Sequence, residues 1–201
     1  ACPRLRAEKT VVMQVVAVSG HALKHAAPSL QADPDVVFAA VKQNGRSILH
    51  ATPALRADHK LALAAVTQNG RALEDVAPRL RSDTEIVLAA VAQCGDAFEF
   101  AASTLRADKE FVVAVVTRNS QSLRHAAPEL RIDTEVVTAA VRHDGNALAH
   151  APAEVQHTAE MVLVAVAQSP WSLEYAAPEL RADAEFMLHA VQRNKESVTY
   201  V

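Results

Sequence analysis

Apolar and polar positions along this chain fall into a 25-residue block that recurs eight times without insertion or deletion. Counted from the leucine of each block, the repeats begin at Leu5, Leu30, Leu55, Leu80, Leu105, Leu130, Val155 and Leu180. Positions 7 to 12 are almost wholly apolar, as in Ile86-Val87-Leu88-Ala89-Ala90-Val91. Position 12 is valine every time: Val16, Val41, Val66, Val91, Val116, Val141, Val166 and Val191. A helix apolar on all sides is expected to be buried on all sides. The pattern therefore predicts an inner helix wedged between neighbouring repeats. Its apolar run is about six residues, against the ~20 that a membrane span needs.

Other columns place the ends of the elements. Position 4 reads Glu8, Asp33, Asp58, Asp83, Asp108, Asp133, Thr158 and Asp183, acceptor side chains suited to the free N–H groups of a helix start. All five glycines (Gly20, Gly45, Gly70, Gly95, Gly145) stand at position 16, where they are expected to end the helix in the left-handed conformation. A second, shorter helix is predicted over positions 17 to 23, with an inward stripe at positions 19 and 22. Six of the nine prolines stand at position 24 and are expected to stop it. A tight turn through Leu-Arg at positions 1 and 2 follows. Helices this short do not persist alone in water, so stacking must supply their stability.

The architecture these columns predict is an all-α, open solenoid spanning residues 1–201 as one array, with two short helices and a turn per repeat and a right-handed superhelix. Both ends cut through a repeat, and neither carries a polar capping repeat. The array is accordingly expected to continue, or its ends to be covered by something else, such as other protein subunits of a larger complex.

Composition adds little that is chemical. Half the residues are apolar and 4% are aromatic, so the core is Val, Ala and Leu. The formal net charge of −3 does not favour a nucleic-acid or anionic-membrane partner. Cys2 and Cys94 lie nearly four repeats apart, too far to bridge within one array, which predicts free thiols in an intracellular reducing compartment, cytosol or organelle interior. No signal-peptide pattern is present.

The columns as a set, D-x-E-V-V-x-A-A-V-x-x-x-G-x-A-L-x-x-A followed by a leucine-and-basic pair, resemble a repeat family catalogued only as a domain of unknown function. Asp133, Glu135, Val136, Val137, Ala139, Ala140, Val141, Gly145, Ala147 and Leu148 carry the resemblance in one repeat, and the same columns carry it in most others. It implies the helical repeat and supplies no activity, cofactor or catalytic residue. Where that family usually has an aromatic at position 21, this chain has His25, His50, His125 and His150. The pattern is also similar, less specifically, to short two-helix leucine-rich variant repeats.

Three columns invite a functional reading. The histidines of position 21 are expected to form stacked pairs along one face, and His21, His25 and His50 offer a weak third possibility, a metal-binding array. Position 2 is arginine in six repeats (Arg6, Arg56, Arg81, Arg106, Arg131, Arg181). It is expected to form a ladder of Arg–Asp pairs with position 4; a nucleic-acid-binding array using those arginines is the alternative. Position 17 is polar except at Trp171, the only tryptophan. Trp171 reads as a partner contact or as local packing around the altered turn at Pro170. Leu49 and Ile132 are apolar residues at outward columns, and His157 belongs to the stretch Val155 to Thr158 that replaces Leu-Arg-Ala-Asp; these three are partner-contact candidates as well. No Gly-rich phosphate loop or acid–base pair is evident, so no enzyme and no cofactor is expected. The preferred reading is a non-catalytic scaffold or structural subunit that binds other proteins.

Overall fold

The computed structural model describes residues 3–200, entirely as helices, turns and short extended links. Cys2 lies outside the described residues, and Cys94 is a free thiol. The chain is an all-α repeat solenoid by local architecture and divides into two compact units, Ala1–Ala102 and Ser103–Val201.

Every repeat carries one long helix, over positions 5 to 14 in seven repeats and 5 to 12 in repeat five. In the first unit these are Lys9–Val18, Pro34–Gln43, His59–Gln68 and Thr84–Gln93. In the second they are Lys109–Val116, Thr134–His143, Ala159–Gln168 and Ala184–Arg193. The acceptor column starts them as expected. Asp58 takes the N–H of Leu61 at 2.9 Å, Asp83 that of Ile86 at 3.1 Å, and Asp33, Asp108, Asp133 and Asp183 do the same in their repeats. Glu8 and Thr158 do not cap. The Thr158 hydroxyl donates backwards to the Glu154 carbonyl instead.

These helices are buried on one broad face and not all round. Positions 7, 8, 11 and 12 pack inward, apart from the exposed Val15 at position 11 of the first repeat, and the valine column is fully buried from Val16 to Val166, with Val191 half-buried. Position 9 faces outward: Phe38 is 44% and Leu188 57% exposed. A 3.6-residue period cannot hide six consecutive residues behind a single neighbour on each side. The apolar run thus overstates the burial.

The rest of the repeat differs from the predicted second helix and turn. One extended residue at position 15 leads into a 3₁₀ helix over positions 16 to 21, such as Gly45–His50 or Gly145–His150. Its inward residue at position 19 is fully buried in Leu23, Ile48, Leu73, Phe98, Leu123, Leu148 and Leu173. Asn44, Asn69, Asn119, Asp144 and Asn194 at position 15 start it, each accepting the N–H two residues on. Proline at position 24 does not stop this segment. It opens a one-turn helix, as in Pro28–Gln31, Pro53–Arg56, Pro128–Arg131 and Pro178–Arg181, at the first helical position where its missing N–H costs nothing. A backbone bond from position 23 to the carbonyl of position 2 closes the repeat, as from Ala27 to Arg6 and Ala77 to Arg56. Pro152 occupies position 23 in repeat six and has no N–H to give.

The glycine column is also explained differently. No described glycine has positive φ. What excludes a side chain is the next repeat. A Cβ on Gly145 would stand 2.6 Å from the Ala165 carbonyl oxygen, and one on Gly20, Gly45 or Gly70 would be closer still to Ala40, Ala65 or Ala90. The position-11 alanines are therefore the other half of the same contact. Gly20 and Gly45 fix it by donating their N–H groups to the Gln43 and Gln68 side chains of the following repeat.

Candidate functional site

The polar features that stand out on the repeat surface are ion pairs, and they do not use the arginine column. Position 5 of one repeat reaches the acids at positions 4 and 6 of the next. Lys9 contacts Asp33 at 2.7 Å and Asp35 at 3.0 Å; Lys109 contacts Asp133 at 3.0 Å and Glu135 at 2.9 Å. The lysine partners hold Asp33 and Asp133 below the usual carboxylate range, and the carboxylates in turn raise both lysines. In repeat three the column holds histidine. His59 Nε2 lies 3.2 Å from Asp83 Oδ2 and 3.7 Å from Glu85 Oε2. The pattern is alternate: Lys9, His59 and Lys109 hold position 5 in repeats one, three and five, and Ala159 takes the place in repeat seven. Repeats one to six are thus stapled in twos.

The position-2 side chains turn the other way, and among the described residues the expected Arg–Asp ladder does not form. Arg56 Nε donates to the Asp75 carbonyl at 2.7 Å, Arg81 to that of Glu74, and Arg106 to that of His125. Gln31 and Gln156, the two substitutes in the column, also reach carbonyls, those of Leu23 and Lys24 and those of Leu148 and Ala151. These groups satisfy the carbonyl end of a 3₁₀ helix, which the sequence spacing to the nearby acids concealed. The Nε atoms of Arg81, Arg106 and Arg131 are buried.

Among the histidines, His21 and His50 meet edge to face with ring centres 6.1 Å apart. The ring contact thus runs from position 17 to position 21. Burial, with His21 and Lys24 nearby, pushes His50 below its ordinary value; Asp75 acts against this. Asp75 occupies position 21 itself. It is 3% exposed and takes the Arg46 guanidinium at 2.8 Å, which raises Arg46, while Glu74 takes the same guanidinium at 2.9 Å. His21, His25 and His50 do not gather their ligand atoms. Among the described residues the group that does is His59, Asp83 and Glu85, whose donor atoms lie within 4.8 Å of one another.

The four partner-contact candidates are placed separately. Trp171 is 60% exposed and leans on Tyr200, edge to face at 5.7 Å. It stands second in the 3₁₀ helix Pro170–Tyr175. Ile132, 50% exposed, lines an open recess of about 590 Å³ with Thr138, Val155, Met161 and Val164. His157 is exposed at the end of the one-turn helix Ala153–Gln156 and does not line that recess. Leu49, 46% exposed, belongs to the first unit.

A family model described as a domain of unknown function (DUF4116) matches four consecutive stretches, residues 9–56, 58–106, 108–156 and 159–201. The chain belongs to this family. Each DUF4116 match begins at or beside position 5 of an odd-numbered repeat, the place of Lys9, His59, Lys109 and Ala159. The DUF4116 unit is therefore two 25-residue blocks, and the ion-pair staple lies inside it. No curated protein and no solved structure matches the chain. No helix of the described residues is long and apolar enough to cross a membrane.

Proposed function

We propose that this DUF4116 array is a non-catalytic scaffold or structural subunit that binds another protein through the surface carrying Trp171. The observation that carries the reading is the exposure of this tryptophan in a column that is polar in the other repeats. Tryptophans of this kind dominate protein interfaces, because one large rigid side chain buries much area at little entropic cost. Tyr200 supports one edge of the indole, so part of the ordering cost is met before binding. The arginine column supports a protein partner over a nucleic acid. Several of its guanidinium groups are engaged with backbone carbonyls and are not free to track phosphates. Enzymatic activity is not part of this reading.

The test is purification of the protein from native extract with crosslinking, alongside Trp171→Ala. The wild type should bring down a defined partner, and the variant should bind that partner at least tenfold more weakly, as expected for a hot spot of about 2 kcal/mol. A wild type that stays partnerless, or a variant that keeps the partner at full affinity, removes the proposal.

A further inference from the structure

The geometry points to a divalent metal site at His59, Asp83 and Glu85, with Zn²⁺ the best-fitting ion. The argument starts from the two sibling places. In repeats one and five an ammonium sits between the two carboxylates that open the next long helix, at 2.7 and 3.0 Å for Lys9 and at 3.0 and 2.9 Å for Lys109. A helix N-terminus ordinarily disfavours a cation. The paired carboxylates overcome that bias twice in this chain, so the cradle is built for positive charge. Repeat three keeps the cradle, as Asp83 and Glu85, and replaces the lysine with His59. A neutral imidazole brings no charge to balance two carboxylates. It brings a lone pair instead, which is what a metal ion requires.

The spacing suits a small ion. Zn²⁺ bonds of ~2.0–2.2 Å in tetrahedral array set neighbouring ligand atoms roughly 3.4 Å apart. Nε2 of His59 stands 3.2 Å from Asp83 Oδ2 and 3.7 Å from Glu85 Oε2, and all three donors fall within 4.8 Å. Little rearrangement is therefore needed. Asp83 is also held from behind: its other oxygen, Oδ1, takes the Ile86 N–H at 3.1 Å, an outer-shell bond of the kind that orients metal carboxylates. One imidazole and two carboxylates leave the remaining positions to water. The side chains of His59, Asp83 and Glu85 are 43, 31 and 66% exposed, so the ion has open access from solvent.

The experiment is a Zn²⁺ titration of the whole chain near pH 7.5, by calorimetry and by the histidine ring signals in NMR, for the wild type, His59→Lys and Glu85→Gln. His59→Lys recreates the sibling ion pair and should fold as the wild type does. The wild type is expected to take up one equivalent, with His59 the first of the nine histidines to shift. Each variant is expected to lose ~10–100-fold in affinity with unchanged helical circular dichroism. Absence of uptake by the wild type, an earlier shift at another histidine, or equal uptake by both variants overturns the site. The NMR arm needs no variant, so a folding defect in either one leaves the decision intact.

Discussion

A single missing carbon sets the spacing between repeats at the glycine column. Because no glycine there has positive φ, the requirement is steric and lies with the following repeat, at the alanine carbonyl of position 11. Gly45→Ala should therefore cost ~1–3 kcal/mol in chemical denaturation, the range for overpacking. Gly45→Asn should do no better, although asparagine is the side chain best tolerated in a left-handed turn. A milder loss with Asn than with Ala would restore the conformational explanation. Repeat five carries Ser120 in this place, and there the long helix ends two residues early, at Val116. His50 gives a second prediction at this scale. Its value is lowered in the folded chain by burial and by His21 and Lys24, against an ordinary 6.5. Between the lowered value and 6.5 the unfolded chain binds more protons, so stability rises with pH across that window. The contribution is present above 6.5 and fades as pH falls through the window. His50→Gln should flatten the denaturation midpoint between pH 5 and 7; an unchanged slope would assign it elsewhere.

At the scale of elements, what could be read from sequence depended on whether a residue acts within its own repeat. The six aspartate caps act on N–H groups two or three residues away, and they were legible from spacing alone. The glycine contact, the position-5 staples and the outward turn of Phe38 are set by a neighbouring repeat, and a single block does not encode where its neighbour sits. Arg56 shows that distance along the chain hides a partner even inside one repeat: Asp58 is two residues away, but the group it reaches is the Asp75 carbonyl, 19 residues on in the same repeat. Trp171 was legible as an anomaly because its column was known, whereas the His59 group needed coordinates to assemble. The staples give a prediction at this level. Repeat seven lacks the cation but keeps the acids of the next helix start, Asp183 and Glu185. Ala159→Lys should add a pair like that of Lys109, raising stability by ~0–1 kcal/mol. The gain should shrink between 0.05 and 0.5 M salt. A salt-independent gain would point to helix propensity and not to charge.

Over the molecule, the decisive property is that stability resides between elements of adjacent repeats and not within any one of them. Leu73 makes this testable inside the first unit. It is fully buried, and its 3₁₀ helix Gly70–Glu74 lies against both long helices His59–Gln68 and Thr84–Gln93. Truncating it to alanine leaves a cavity shared by repeats three and four, at a cost of about 2–5 kcal/mol. In a globular core such a loss is spread through the whole structure. In a stack with nearest-neighbour coupling it is local and decays along the chain. Hydrogen exchange on Leu73→Ala should therefore show protection falling most in His59–Gln68 and Thr84–Gln93, less in Pro34–Gln43, and least in Lys9–Val18. Equal loss in all four helices would mean that the unit opens as one cooperative body. Loss confined to Gly70–Glu74 would mean that the repeats are held by their own local bonds. Either result would contradict the stacking that the buried valine column and the glycine–carbonyl contacts require, since both place the stabilising surface of each repeat on its neighbour.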